Sequence, residues 1–130
     1  MNESQLGAGG EHLVIAELLQ RGFYVATPVV DVAGHDVLAT IDDLPYQRIQ
    51  VKTCRQPLQQ NGTSGYRFNA RSTKGSDFYI LCCVFHRSFY VIPTSEMKVS
   101  ASLTGDGSGS SKLEKYFQAF HMLTNSMKTS

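Results

Sequence analysis

Residues 48–53 (RIQVKT) constrain the fold more than any other part of this sequence. Ile49 and Val51 are β-branched and alternate with long polar side chains, a period of two that is typical of a β-strand with one buried and one polar face. Gln50 and Lys52 would therefore stand about 7 Å apart on the polar face. Such a strand can hold a polar ligand, although a solvated face has the same pattern.

Apolar patterning along the remaining chain predicts a helix packed on a meander of strands. The helix is predicted over residues 5–21, and strands over residues 23–30, 36–41, 46–54, 78–85 and 89–93. Residues 56–76 read as a long connection with one short strand at 66–68, residues 105–111 as a Gly/Ser linker, and residues 112–123 as a final helix. A chain of 130 residues fits one domain, residues 1–130.

Several classes of protein are excluded by composition and by the N-terminus. The apolar runs are shorter than the roughly 20 residues of a membrane span, and the first residues lack the basic and apolar regions of a secretory signal. The three cysteines, Cys54, Cys82 and Cys83, lie without metal-binding spacing and two of them are adjacent. We therefore expect reduced thiols, no membrane partner and a cytoplasmic location.

Charge is distributed unevenly, although the net charge of the chain is only +1. Residues 44–76 contain six cations and no Asp or Glu. A basic middle in an otherwise acidic chain is typical of a polyanion-binding surface, and DNA is the expected partner. Chance clustering of cations on a solvated loop is the alternative. The predicted DNA contacts are Arg48, Arg55, Arg67, Arg71 and Lys74.

Two carboxylates upstream can join the polar strand. Glu11 precedes Ile15 by four residues and Leu18 by seven, so it lies on the apolar stripe of the predicted helix. There it holds a partner or a metal, or it complements the helix dipole. Asp36 opens a strand that a tight turn joins to residues 46–54, so the two strands are expected to be antiparallel neighbours.

These side chains together predict a metal site. Asp36, Gln50 and Glu11 supply hard oxygen ligands beside Lys52, and such ligands suit Mg²⁺, with Mn²⁺ as a possible substitute. A lysine there can lower the pKa of a metal-bound water or stabilise the pentavalent phosphate.

The arrangement resembles the PD-(D/E)XK nuclease superfamily. The similarity is best over residues 9–53, where Gly10, Glu11 and the following apolar spacing look like the first helix of archaeal Holliday-junction resolvases and of intron-encoded homing endonucleases with this fold. The resemblance implies an α/β (α+β) fold with a restriction-endonuclease-like core, a central mixed sheet of about five strands and flanking helices. Gln50 departs from the usual acid of this family on the third strand.

The resemblance also implies a function and a set of roles. The expected activity is Mg²⁺-dependent hydrolysis of DNA phosphodiester bonds, with catalytic Glu11, Asp36, Gln50 and Lys52. The first three would hold the metal, Asp36 as principal ligand, and Lys52 would act as electrophile and water activator. Because the amide of Gln50 is a neutral ligand, a degenerate nuclease fold that only binds DNA is the alternative. An interaction domain with an accidental motif is a third possibility.

Assembly is the last expectation. One metal site cuts one strand, so cleavage of both strands of a duplex needs two sites in fixed relation, and two-fold symmetry is the commonest way to supply them. The number of aromatic side chains also suggests more apolar surface than one small core can bury. These residues are Phe78, Tyr79, Phe85, Phe89, Tyr90, Tyr116, Phe117 and Phe120. We expect a homodimer or a dimer of dimers, unless these aromatics fill the core of the monomer.

Overall fold

One long helix opens the structure, which is a computed structural model that describes residues 1–30, 36–60, 63–70 and 75–124. Helix α1 spans Glu3–Gln20 and begins earlier than predicted, because Asn2 caps it. The Asn2 side chain accepts a hydrogen bond from the Gln5 amide at 2.9 Å, and the Gln5 side chain accepts one from the Asn2 amide at 2.9 Å. This reciprocal capping box satisfies two amides that the helix leaves unpaired.

Eight strands follow in the described part of the chain and form two sheets. In chain order they are β1 (Tyr24–Ala26), β2 (Val37–Thr40), β3 (Gln47–Cys54), β4 (Leu58–Gln60), β5 (Thr63–Asn69), β6 (Phe78–Cys83), β7 (Ser88–Pro93) and β8 (Ser100–Leu103). The larger sheet has the order β1-β2-β3-β6-β7, in which only β3 and β6 are parallel. The predicted mixed sheet of five strands is therefore confirmed, although the first strand is shorter than residues 23–30.

The second sheet was not predicted. It has the order β4-β5-β8 and is antiparallel throughout. Residues 56–76, predicted as a connection with a strand at 66–68 only, contain both β4 and β5. The prediction was wrong because β4 and β5 are rich in polar residues and Gly, which do not indicate a strand by themselves. Pairing with neighbouring strands stabilises β4 and β5 instead. β8 was missed although Ala101 and Leu103 alternate with serines.

The two faces of the larger sheet are covered by different elements. Thr53 of β3 contacts α1, and the period of two places Ile49 and Val51 on that same face. On the opposite face, Ser88 of β7 donates a hydrogen bond to the carbonyl of Gly105 at 2.6 Å, next to the end of β8. The register puts Gln50 and Lys52 on this second face, toward the smaller sheet.

The final helix was predicted wrongly. Lys112–Tyr116 forms a 3₁₀ helix, Phe117 forms an isolated β-bridge with Tyr90, and the chain returns to helix only at residues 122–124. Gln118 has a φ of 53°, and it bonds to Phe89 of β7 twice, through its backbone amide at 2.7 Å and its side-chain oxygen at 2.7 Å. This pairing with an edge strand replaces the helical hydrogen bonds that residues 117–121 would otherwise form.

A buried carboxylate ties this C-terminal segment to the core. Glu114 is only 5% exposed and accepts hydrogen bonds from the hydroxyl of Tyr90 at 2.6 Å and from the amide of Thr104 at 2.8 Å. Burial and the bond to Glu114 raise the pKa of Tyr90. The hydrogen bonds satisfy a charge that would otherwise be costly to bury.

The aromatic residues mostly fill the core of the single chain. Six of the eight aromatics that were considered for an interface are buried: Phe78, Tyr79, Phe89, Tyr90, Tyr116 and Phe120. Phe117 is half-buried, and Phe85, in the turn between β6 and β7, has 72% of its surface exposed. The expected surplus of apolar surface is therefore absent from this set, and it gives no argument for an oligomer.

The cysteines are free thiols. Cys82 and Cys83 lie inside β6, whose residues are all buried, and burial raises the pKa of Cys82 to about 12. Thiols of this kind are chemically inert. No helix in the described part of the chain is both long and apolar enough to span a membrane.

Gly10 sets the distance between α1 and the larger sheet. A Cβ atom at this position would lie 1.9 Å from the Oγ1 of Thr53, so only glycine lets the helix approach β3 this closely. Val14 and Leu18 follow at helical spacing and are fully buried. The helix is thereby fixed beside the carboxyl half of β3.

We predict opposite effects from two neighbouring glycines. Gly10→Ala should lower the free energy of unfolding by roughly 1–3 kcal/mol, because the added methyl group forces α1 away from Thr53. Gly9→Ala is the matched control: a Cβ there meets nothing within 4 Å, so the higher helix propensity of alanine should stabilise the protein by up to about 1 kcal/mol. Urea denaturation measures both, and equal effects of the two substitutions would contradict the packing described for Gly10.

Candidate active site

Asp36 and Gln50 are in direct contact. The register of β2 and β3 pairs Val37 with Ile49, so the residue before Val37 stands opposite Gln50. The Oδ2 atom of Asp36 accepts a hydrogen bond from the Nε2 of Gln50 at 2.7 Å and another from the backbone amide of Val51 at 2.9 Å. The carboxylate is half-buried. It is held by β3, the strand predicted to lie beside the one that Asp36 opens.

This pairing orients the oxygen atoms that remain. Both hydrogen bonds to Asp36 are accepted by Oδ2, and Gln50 uses its nitrogen. Within the described residues, no hydrogen bond reaches Oδ1 of Asp36 or Oε1 of Gln50. One carboxylate oxygen and one amide oxygen are thus available as ligands at the same position between two strands.

Lys52 lies two residues beyond Gln50 on the same face of β3, paired in register with Leu81 of β6. Its side chain is half-buried, and in the parts of the chain that the structure describes its ammonium group forms no ion pair. A strand rise of about 3.3 Å per residue puts its Cα about 7 Å from that of Gln50. Its charge can therefore act on a group that Asp36 and Gln50 hold.

Glu11 reaches this region from α1. It follows Gly10, whose contact with Thr53 brings the helix to the carboxyl half of β3, and its side chain is half-buried. The helix lies on the face opposite to that of Gln50, so Glu11 approaches from the α1 side of the sheet. Its role beside the Asp36 and Gln50 pair stays a prediction.

The donor set fits a hard divalent cation. Among the described residues, no three His, Cys, Asp or Glu side chains are grouped for a metal, and soft or imidazole-based sites are not formed there. Asp36 and Gln50 instead supply two oxygen atoms, and Mg²⁺ commonly takes one or two carboxylates and keeps several waters. The residues present therefore suit Mg²⁺ or Mn²⁺ better than zinc.

Arg48 has a structural partner that the sequence analysis missed. Its guanidinium binds Asp77 with two bonds, from Nε at 3.1 Å and from Nη2 at 3.0 Å, and its backbone amide donates to the same carboxylate at 2.8 Å. This hydrogen bonding and the charge of Asp77 raise the pKa of Arg48. Asp77 is the first acid after residues 44–76 and directly precedes the buried β6. This position could have indicated the ion pair with Arg48.

The other predicted DNA contacts are distributed differently. Arg55 is exposed directly after β3, and Arg67 is exposed on β5. Neither forms an ion pair within the described residues. Arg71 and Lys74 lie outside the described residues. Arg55 and Arg67 are thus exposed cations that a polyanion can reach, whereas Arg48 is already engaged.

The family is decided by comparison with known proteins. The model of the PD-(D/E)XK endonuclease family matches residues 1–123. The chain belongs to this family. A solved structure of a bacterial homing endonuclease, I-Ssp6803I, is similar to this PD-(D/E)XK protein with a TM-score of 0.82 and 20% sequence identity, over 98% of this chain and 95% of the other. No curated protein matches the sequence.

These comparisons confirm two of the predictions. The superfamily named from Glu11, Asp36, Gln50 and Lys52 is the family found, and the restriction-endonuclease-like fold is the one shared with the bacterial homing endonuclease. The role of each of these residues stays a prediction.

Arg48 and Arg55 should differ in their effect on DNA binding. Arg55→Ala should reduce the slope of log affinity against log salt by about one unit, because one phosphate contact is lost. Arg48→Ala should leave this slope nearly unchanged, because Asp77 already neutralises the guanidinium. Fluorescence anisotropy with a labelled duplex measures both slopes. An equal reduction by Arg48→Ala would show that the ion pair opens to bind phosphate.

Proposed function

We propose that this protein is a Mg²⁺-dependent endodeoxyribonuclease that hydrolyses phosphodiester bonds in DNA. The observation that carries the proposal is the contact between Asp36 and Gln50, with Lys52 on the same face of β3. Membership of the PD-(D/E)XK endonuclease family supports the reaction class. Mn²⁺ has the same preference for oxygen ligands and is expected to substitute.

The oxygen atoms of the site would hold the metal. Asp36 would be the principal ligand, Gln50 would be a neutral ligand, and Glu11 would be an outer ligand or would position a water molecule. A bound divalent cation supplies Lewis acidity and lowers the pKa of a coordinated water. The amide of Val51 and the side-chain nitrogen of Gln50 keep Asp36 oriented, so the site is organised by β3 before a metal or DNA binds.

Lys52 would stabilise the charge that develops at phosphorus. Its ammonium is a compact cation on a flexible stem, and burial on the polar face of β3 strengthens its field relative to bulk water. Electrostatic stabilisation of the pentavalent phosphate is its proposed role, together with activation of the attacking water. Arg55, Arg71 and Lys74 would hold the DNA backbone, and Arg67 would contact the DNA as well.

The DNA substrate could be a four-way junction or a specific site in a duplex. Four-way junctions and specific duplex sites are both substrates of nucleases that the first helix resembles. The similarity of the fold to a bacterial homing endonuclease favours a duplex site for this chain.

A DNA-binding protein without catalysis is the second candidate. Gln50 favours it, because its amide satisfies Asp36 with a hydrogen bond at 2.7 Å without any metal. An acid at this position would repel Asp36 and would require a cation between them. A neutral ligand also binds a divalent cation more weakly.

Lys52→Ala separates these two candidates. The substitution should lower the rate of plasmid nicking in Mg²⁺ by roughly 10²- to 10³-fold, the effect of removing one group that stabilises transition-state charge. The fold should persist, because Lys52 belongs to the polar face. Lys112→Ala is the control, since it removes an exposed lysine of the C-terminal segment. A folded Lys52→Ala protein that nicks as fast as the Lys112→Ala protein would refute the assigned site.

Metal affinity tests Asp36 and Gln50 together. Asp36→Asn should remove most binding of Mn²⁺ in calorimetry, because the charged ligand becomes neutral. Gln50→Glu should tighten binding, because a second charged oxygen joins the site. Asp43→Asn is the control, since Asp43 is exposed with a φ of 61° that asparagine also adopts. Equal affinity for Mn²⁺ in all four proteins would place the metal elsewhere.

We also propose a homodimer or a dimer of dimers, because two strands of a duplex need two sites. The exposed Phe85 is a candidate contact between copies. Light scattering behind a sizing column should give a mass of at least twice 14.4 kDa. A mass near 14.4 kDa at micromolar concentration would leave a nicking enzyme or a DNA-binding protein.

A further inference from the structure

The smaller sheet has two unlike faces. Its inner face is apolar and buried against the larger sheet, through Tyr66, Phe68, Ala101 and Leu103. Its outer face is polar and exposed, and consists on β5 and β8 of Arg67, Asn69, Ser100 and Ser102. Packing in the core explains why the inner face is apolar. The particular polar residues of the outer face are not explained by packing.

On β5 and β8, the outer face consists of short side chains apart from Arg67 and Asn69, and on β4 the half-exposed Leu58 pairs with Gly65. Arg67 pairs in register with Ser102, and Asn69 pairs with Ser100. Next along β5, Gly65 carries no side chain, and a Cβ there would lie 2.8 Å from the Oγ of Ser102. Short residues therefore surround Arg67 and Asn69, which project from the central strand of the sheet.

The spacing of β5 and β8 fits the major groove of DNA. Two paired strands lie about 4.8 Å apart, and the major groove, about 12 Å wide, admits a two-stranded β-ribbon. Longer side chains in place of Ser100 and Ser102 would hold the ribbon away from the bases. The short serines instead let the backbone of β5 and β8 descend toward the base edges, and strands of this kind read DNA in other proteins.

The two projecting side chains have the chemistry of base readers. Arginine forms two hydrogen bonds with the O6 and N7 of guanine, and asparagine forms two with the N6 and N7 of adenine. Arg67 and Asn69 are two residues apart on one face, about 7 Å, which equals about two base-pair steps of roughly 3.4 Å each. One strand can therefore present each side chain to a different base pair.

The position of this face relative to the candidate site fits the same duplex. β5 contacts β3, the strand that carries Gln50 and Lys52, and only residues 55–57 connect β3 to β4. The connection includes the exposed Arg55. No acid occurs between residues 44 and 76, so the stretch of chain that runs from β3 through β5 is complementary in charge to DNA.

We propose that the outer face of the β4-β5-β8 sheet enters the major groove and reads sequence, with Arg67 contacting a guanine and Asn69 an adenine about two base pairs away. The proposal rests on the DNA-binding part of the proposed function and adds the specificity that the metal site alone does not provide. Phosphate contacts give affinity without sequence preference, so the two side chains have a role distinct from that of Arg55.

Selection from a randomised duplex library tests this assignment. All proteins carry Lys52→Ala so that bound DNA is not cleaved, and the parent is compared with Arg67→Ala, Asn69→Ala and Lys112→Ala. The parent and the Lys112→Ala control should enrich the same motif. Arg67→Ala should lose the preference at a guanine only, and Asn69→Ala the preference at an adenine about two base pairs away.

Affinity separates base readout from phosphate contact. Arg67→Ala should weaken binding of the enriched duplex by roughly tenfold to a hundredfold, and binding of a scrambled duplex by much less. Equal weakening of the two duplexes would make Arg67 a phosphate contact and overturn the proposal. An unchanged motif in both variants, or no motif for the parent, would overturn it as well. Circular dichroism checks that each variant is folded.

Two further outcomes distinguish this proposal from the proposed nuclease activity. Nicking of plasmid by protein with an intact Lys52, together with an unchanged motif in the variants, would retain the activity and refute the reading face. A motif that depends on Arg67 and Asn69, without nicking, would retain the reading face and refute the activity. A changed oligomeric mass of Arg67→Ala with unaltered DNA binding would make this face a contact between copies and would overturn the proposal.

Discussion

The parallel pairing of β3 with β6 is the constraint on which the rest of the structure depends. Antiparallel neighbours can be joined by a tight turn, but parallel neighbours need a crossover of a dozen or more residues. The crossover here covers residues 55–77, and its described residues form two strands, β4 and β5. β5 contacts β3 on one face while α1 covers the other, so the polar residues of β3 lie on the side of the smaller sheet. The ion pair of Arg48 with Asp77 closes the crossover where β6 begins.

The sequence predicted the elements that local patterning determines and missed those that pairing determines. The alternation around Gln50 and the apolar run of β6 each specify a strand by themselves, and both were correct in position. β4 and β5 contain glycine, serine and glutamine, which have weak strand propensity, and only their partners stabilise them. The C-terminal segment has a helical apolar pattern, yet Gln118 at a φ of 53° ends it. That backbone angle depends on two hydrogen bonds to Phe89, which no local pattern encodes.

The candidate site could be assembled from the sequence because its parts lie on predicted elements. A short turn between β2 and β3 made Asp36 and Gln50 neighbours, and the period of two placed Lys52 on the same face. The orientation of the amide could not be predicted. In the structure, Gln50 donates to Asp36, so the residue that departs from the usual acid of the family also holds the Asp36 carboxylate in place. Asn69 was not predicted as functional, because its proposed role depends on the unpredicted pairing of β5 with β8.

The central claim is that Asp36 and Gln50 hold a divalent cation beside Lys52. Anomalous scattering from a crystal of the protein grown with Mn²⁺ tests it most directly, because the ion is located without reference to activity. The account predicts a peak within about 2.0–2.3 Å of an oxygen of Asp36 and of the Oε1 of Gln50, with the remaining ligands being waters. A peak located only at other side chains, with Asp36 still bound solely by Gln50 and Val51, would contradict it.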